Sequence, residues 1–209
     1  MPPEPAAKRA VAFIDGQNLF HAAKKAFGFT FPNYDISALV NEVCQSAEWN
    51  PSGIHFYTGI PGVQDDPFWH QFWSSKLAVM GTRGIVTFSR PLRYRDQTVL
   101  LTDGTATTVR VGQEKGIDVR IALDVVRVAR ENACDVVLLF SQDQDLSEVA
   151  DEVRAISRAQ RRWIKVASAF PSSSTSTNTR GVNKTDWIRI GRDLYERCID
   201  TTDYRTRPP

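Results

Sequence analysis

Two apolar runs in this 209-residue chain end on carboxylates. Val11, Ala12, Phe13 and Ile14 lead into Asp15, with Gly16, Gln17 and Asn18 behind it. The run DVVLLF, residues 135–140, leads into Ser141, Gln142, Asp143, Gln144 and Asp145. Short runs of this composition read as buried strands, so each aspartate falls where a strand gives way to a helix. Two chemistries fit that position. An aspartate can cap the following helix by accepting a hydrogen bond from a first-turn N–H. Alternatively, several carboxylates drawn together hold a divalent cation, which relieves their repulsion and the cost of desolvating them. Oxygen-only ligands favour Mg²⁺ or Mn²⁺ over zinc. Asp118 and Asp124 add carboxylates on the helix feeding the second strand, and a separation of six points them in different directions. Asp118, in the first turn, is the better placed to lean over the same crevice, although it also suits the positive end of its own helix.

Other chemistries have less support. Cys44, Cys134 and Cys198 are scattered without a CxxC pair, which reads as reduced thiols in a cytoplasmic protein and argues against a cysteine-built zinc site. His21, His55 and His70 stand in unrelated contexts and read as structural. With 26 basic and 24 acidic residues the net charge is +2, so bulk charge is not what would hold a nucleic acid. Local basic clusters remain: Arg90, Arg93 and Arg95; Arg158, Arg161 and Arg162; and Arg180 with Lys184. Each reads as solvated surface or as a phosphate contact. The last pair is the preferred contact, because it flanks a polar loop able to fold over a crevice on binding. Trp69 and Trp73, one helical turn apart, read as a core or interface stripe or as a stacking platform.

These residues need a frame. Strand and helix patterns alternate along the chain, which implies an α/β fold with a mainly parallel sheet between helices. Strands are read at 11–14, 53–59, 84–90, 135–140 and 163–170. Helices are read at 18–27, 35–49, 66–84, 114–133, 145–160 and 190–200. Asp103-Gly104 between β-rich flanks reads as a hairpin turn. In an open parallel sheet the turns at the carboxyl ends of the strands line one crevice, where Asp15 and Asp143 meet if their strands are neighbours. Residues 1–9 and 201–209 read as tails around a single domain at 10–200, with 171–181 a flexible loop. No apolar run or leader pattern supports membrane insertion or secretion.

FIDGQN, EKGIDVRIALDVV, LLFSQDQDL and TDWIRI, in this order and spacing, resemble the NYN domains, LabA-like relatives of the PIN nucleases. The resemblance covers most of residues 10–199. It implies a Rossmann-like, PIN-like three-layer α/β/α sandwich and a Mg²⁺- or Mn²⁺-dependent ribonuclease. The site it implies is Asp15, Asp118, Asp143 and Asp145 with Asn18 in support. Asp15, Asp118 and Asp143 would hold metal, and Asp145 would be a ligand or a water-positioning base; Arg180 and Lys184, read from the polar loop rather than from the resemblance, would bind substrate. The expected partner is nucleic acid, single-stranded or structured RNA, with a homodimer allowed and no membrane. The chain departs from the family at Gln142, where glycine is usual, and at Leu146, where phenylalanine is usual. Glycine permits backbone angles that glutamine resists, so the departure bears on how Asp143 is placed. It also keeps open a second reading, a member of the fold that binds RNA or a protein without cleaving. A phosphatase using Asp15 as nucleophile would need an aspartate two residues on, where the chain has Gln17.

Overall fold

The computed structural model describes residues 2–100 and 104–204. Six strands form one sheet in the order β3-β2-β1-β6-β7-β8, and every neighbouring pair is parallel. The strands are β1 (Arg9–Asp15), β2 (Asn50–Ile60), β3 (Val86–Pro91), β6 (Val136–Phe140), β7 (Lys165–Pro171) and β8 (Asp186–Ile190). β4 (Arg93–Leu100) and β5 (Ala106–Gln113) pair only with each other, as an antiparallel hairpin inserted after β3. The hairpin turn was expected at Asp103-Gly104, and Asp103 lies outside the described residues. The helices are α1 (Gly16–Phe27), α2 (Ile36–Ser46), α3 (Pro67–Thr82), α4 (Ile117–Arg130), α5 (Ser147–Ala159) and α6 (Arg192–Arg197). Among the described residues no helix is long and apolar enough to cross a membrane.

The period-two pattern of the central strands divides the core into two layers. Ala10, Ala12 and Ile14 of β1 and Val136, Leu138 and Phe140 of β6 pack against α1, α2, α3 and α6. Val11 and Phe13, with Val137 and Leu139, face α4 and α5. Both central strands are therefore covered on both faces, which is why they read as continuous apolar runs. Trp73 is buried and Trp69 packs beside it in the first layer, so this stripe belongs to the core. Asp35 caps α2 by accepting from the Ala38 N–H at 3.0 Å, as its position implied.

Three departures from the sequence reading matter most. The TDWIRI segment supplies a sixth strand, β8, that periodicity did not reveal; it is short, at the sheet edge, and mostly exposed. α4 begins at Ile117 rather than at Glu114, because Gly116 takes a left-handed φ of 74° that breaks the helix before it. Beyond residue 200 the chain stays docked through Tyr204, which is buried and donates to Asp200 at 2.7 Å. Asp200 in turn pairs with the buried Lys76 ammonium at 3.0 Å.

Candidate active site

Chain order runs outward from β1 through β2 to β3 on one side, and from β6 through β7 to β8 on the other. The direction of winding therefore reverses between β1 and β6. No crossover covers that seam at the carboxyl ends, which leaves a crevice there. Asp15 ends β1 and Asp143 follows β6 by three residues, so strand order alone brings them to opposite lips of the seam. Asp118, in the first turn of α4, joins them. A cleft of about 450 Å³ is lined by Asp15, Asn18, His21, Glu114, Asp118 and Asp143, among others. Asp124 points elsewhere: it accepts from the Tyr57 hydroxyl at 2.9 Å and pairs with Arg120 and Arg127 at 2.8 and 2.9 Å.

Capping and cleft-lining are compatible here. Asp15 Oδ1 accepts from the Asn18 N–H at 3.0 Å, so the carboxylate does cap α1. It is nonetheless buried beside Asp143 and Asp118, and its carboxyl is pushed up to about 6, first by desolvation and then by those neighbours. Gly16 is required next to it, because a Cβ there would stand 2.5 Å from the Phe56 ring and 2.9 Å from the Tyr57 carbonyl oxygen. Asp143 likewise caps a short 3₁₀ turn, Gln144–Leu146, by accepting from the Asp145 N–H at 3.0 Å. Asp145 itself is exposed and is not part of the cleft lining.

Glu114 is the residue that sequence reasoning missed. Read as the first residue of a helix, it carried no signal; the turn at Gly116 instead directs it into the cleft. Both of its carboxylate oxygens are buried without a hydrogen-bond partner. The Gly59 N–H lies near enough to lower the group slightly. Burial and then Asp15 dominate, and they push it up to about 8. Among the described residues, Asp124, Asp135, Asp151 and Asp200 are among the carboxylates held in ion pairs, and no ion pair engages Asp15, Glu114, Asp118 or Asp143. Lys115 also lines the cleft, but a pocket of carboxylates with two orphaned oxygens and no ion pair among the described residues fits a hard divalent ion by its chemistry. Among the described residues no three His, Cys, Asp or Glu side chains form a ready-made coordination sphere.

The second departure from expectation concerns Gln142. It does not adopt a left-handed φ, so its turn imposes no demand for glycine. Its N–H donates to Asn18 Oδ1 at 2.9 Å, tying α1 to the turn that carries Asp143. Its side-chain amide donates to the Arg180 and Asn178 carbonyl oxygens at 2.8 and 3.3 Å. Gln144 donates to the Gly181 oxygen at 3.0 Å and accepts from the Asn183 N–H at 3.0 Å. The polar loop is thus fastened to the rim of the cleft by two glutamines. Arg180 is exposed, with its guanidinium on Asn183 Oδ1 at 3.2 Å. Lys184 pairs with Asp151 at 2.5 Å and Glu148 at 3.6 Å on α5.

Gln142→Gly is expected to destabilise the fold by about 1–3 kcal/mol, from lost hydrogen bonds and added chain entropy. Trypsin should then cut faster after Arg180. An unchanged cleavage rate would mean that Gln144 and Lys184 alone hold the loop.

The NYN domain model matches residues 9–183. Among solved structures, the chain is similar to VPA0982, a protein of unknown function from Vibrio parahaemolyticus. They share 18% identity and a TM-score of 0.53, over 91% of this chain and 98% of that one. It also aligns with MurG of Acinetobacter baumannii at 12% identity and a TM-score of 0.33, over 87% of this chain and 45% of that one. The first likeness concerns the fold alone, and the second is too distant to carry an argument. No functionally curated protein matches.

Proposed function

The chain belongs to the NYN-domain family, a nuclease-like branch of the PIN-like superfamily, and on that premise we propose that it is a metal-dependent ribonuclease. One observation carries the proposal. Asp15, Asp118 and Asp143 converge with Glu114 in a cleft at the sheet's switch point, and among the described residues none of the four is held in an ion pair.

Asp15, Asp118 and Asp143 would hold one or two Mg²⁺ or Mn²⁺ ions, directly or through water. Bound there, such an ion lowers the pKa of a coordinated water and neutralises charge on a phosphate. The chain's own residues supply the geometry. Asp15 is fixed by its capping bond and by the close packing at Gly16. Asp143 is fixed from both sides, by the Asp145 N–H on its oxygen and by the bond from its own N–H to Ser141 Oγ at 3.1 Å. Asn18 holds α1 and the Asp143 turn in register through Gln142. Asp145, just outside the cleft, serves as a water-positioning group for substrate entering over the rim. Arg180 presents a guanidinium to phosphate at the loop edge. Lys184 shares that role only on leaving its partners on α5.

A second reading, an RNA-binding module without cleavage, draws support from the lack of a ready-made coordination sphere among the described residues. One experiment separates the two. Purified protein is incubated with RNA and with DNA oligonucleotides in Mn²⁺, in Mg²⁺ and in EDTA. Cleavage of RNA with either ion and none with EDTA is expected. Binding with no cleavage under any condition would favour the second reading.

A further inference from the structure

We propose that the outward face of the β4–β5 hairpin is a docking track for a single-stranded polynucleotide, with Arg93 and Arg95 taking successive phosphates; it rests on the nuclease reading of the adjacent cleft. The hairpin forms a two-stranded sheet of its own, and nearly all of its residues are exposed. Such a ribbon is marginal in water unless something packs on it.

Its register divides the side chains between two faces. Tyr94 and Asp96 stand opposite Gly112 and Arg110 on one face. That face is pinned to the body of the protein, because Arg110 pairs with Asp65 at 3.1 Å and lies over the Tyr94 ring at 4.9 Å. The base is held too, by the Leu92 N–H on the Ile60 oxygen at 2.9 Å. Arg93 and Arg95 belong to the other face, opposite Gln113 and Val111. Neither side chain has an ion pair or hydrogen bond among the described residues, in contrast to Lys184.

The base of the hairpin adjoins the cleft. Gln113, the partner of Arg93, is followed directly by Glu114 and Lys115 of the cleft wall. Alternate residues on a strand are about 6.8 Å apart, a step comparable to one extended nucleotide. The cleft is anionic, so a polyanion reaches it only if cations nearby hold the chain. Arg93, Arg95 and Lys115 supply them on this side. Beyond them the exposed Val99 and Val109 continue the same face, offering apolar surface to unstacked bases. Two copies meeting through this face about a twofold axis would bring their arginines together, which disfavours a dimer there.

The test measures binding of a short fluorescein-labelled oligouridylate to the whole chain in EDTA, across a salt series. In R93A/R95A the log–log salt slope should fall by about 1.4, roughly 0.7 for each lost contact on a single strand. R93K/R95K keeps both charges and should retain the slope, which guards against a mere folding defect. With Mn²⁺, hydrolysis of the small diester bis(p-nitrophenyl) phosphate by R93A/R95A should match wild type. An unchanged slope in R93A/R95A overturns the proposal. So does a wild-type dimer, seen by sedimentation, that dissociates in V109D, since that would assign the face to a second copy. Binding in EDTA needs no cleavage. A protein that binds with an arginine-dependent slope and cuts nothing would therefore remove the nuclease reading and leave the track standing.

Discussion

Asp143→Asn is expected to lower Mn²⁺-dependent RNA cleavage by about 10²–10³-fold, the range seen when one preorganised charge-stabilising group is removed from an active site. Asparagine suits this test because its side-chain oxygen can still accept from the Asp145 N–H, the contact that Asp143 makes at 3.0 Å. The cap and the 3₁₀ turn therefore survive, and only the charge leaves the cleft. The same argument holds at Asp15, where asparagine can keep the bond from the Asn18 N–H. Single-turnover cleavage by wild type and both variants, with circular dichroism to check folding, gives the comparison. Equal rates across the three would sink the site assignment. Asp145→Asn is the informative companion, because its carboxylate is exposed and outside the cleft lining. A modest loss is expected there. A loss as deep as that of Asp143→Asn would mean that Asp145 swings inward when substrate binds.

Glu114→Gln should raise the melting temperature of the metal-free protein near pH 8, and the gain should vanish near pH 4. Glu114 stands at about 8 in the fold, mainly through burial, against about 4.3 in an unfolded chain. Folding therefore favours its protonated form. Stability from this group is fully present below the unfolded value and is lost progressively as pH rises towards the folded one. Asp15, raised to about 6, adds the same trend over a narrower window. The variant removes the larger part of that slope, an effect on the order of a few kcal/mol. Mn²⁺ should also raise the melting temperature of wild type. At a hundredfold excess over its dissociation constant it should stabilise by about 2.7 kcal/mol, roughly 5–10 °C for a domain of this size. Glu114→Gln should gain less. Differential scanning fluorimetry across pH, with EDTA or Mn²⁺, tests both statements. A metal-free Glu114→Gln that melts no higher than wild type at pH 8 would assign the buried carboxylate a structural role.

Much of this protein was legible in its residues alone. DVVLLF could only be a strand covered on both faces, and VAFI before Asp15 another, because runs with no polar alternation leave no face for water. Alternating elements implied the parallel sheet, and the aspartates at two strand ends implied a crevice once those strands were neighbours. Asp35, Asp15 and Asp143 were readable as caps because a capping bond spans only two or three residues, well within local sequence. The preference for Asp118 over Asp124 also followed from spacing on one helix.

Tertiary structure decided the rest. That Asp15 is both cap and buried cleft residue depends on which strand lies beside β1, a contact 126 residues away in sequence that no local pattern encodes. Glu114 enters the cleft only because Gly116 turns the chain before α4 and Gly59 of a distant strand leaves room for it. Gln142 looked unfavourable on backbone grounds and proved to be a clamp, since its amide meets carbonyls 36 and 38 residues further on. β8 escaped notice because an edge strand is held by hydrogen bonds to its neighbour rather than by an apolar period of its own. Lys184 and Arg93 are both basic residues beside polar segments. Only the fold gives the first its acidic partners on α5 and leaves the second unpaired, because charge compensation depends on distances set by packing and not on residue type.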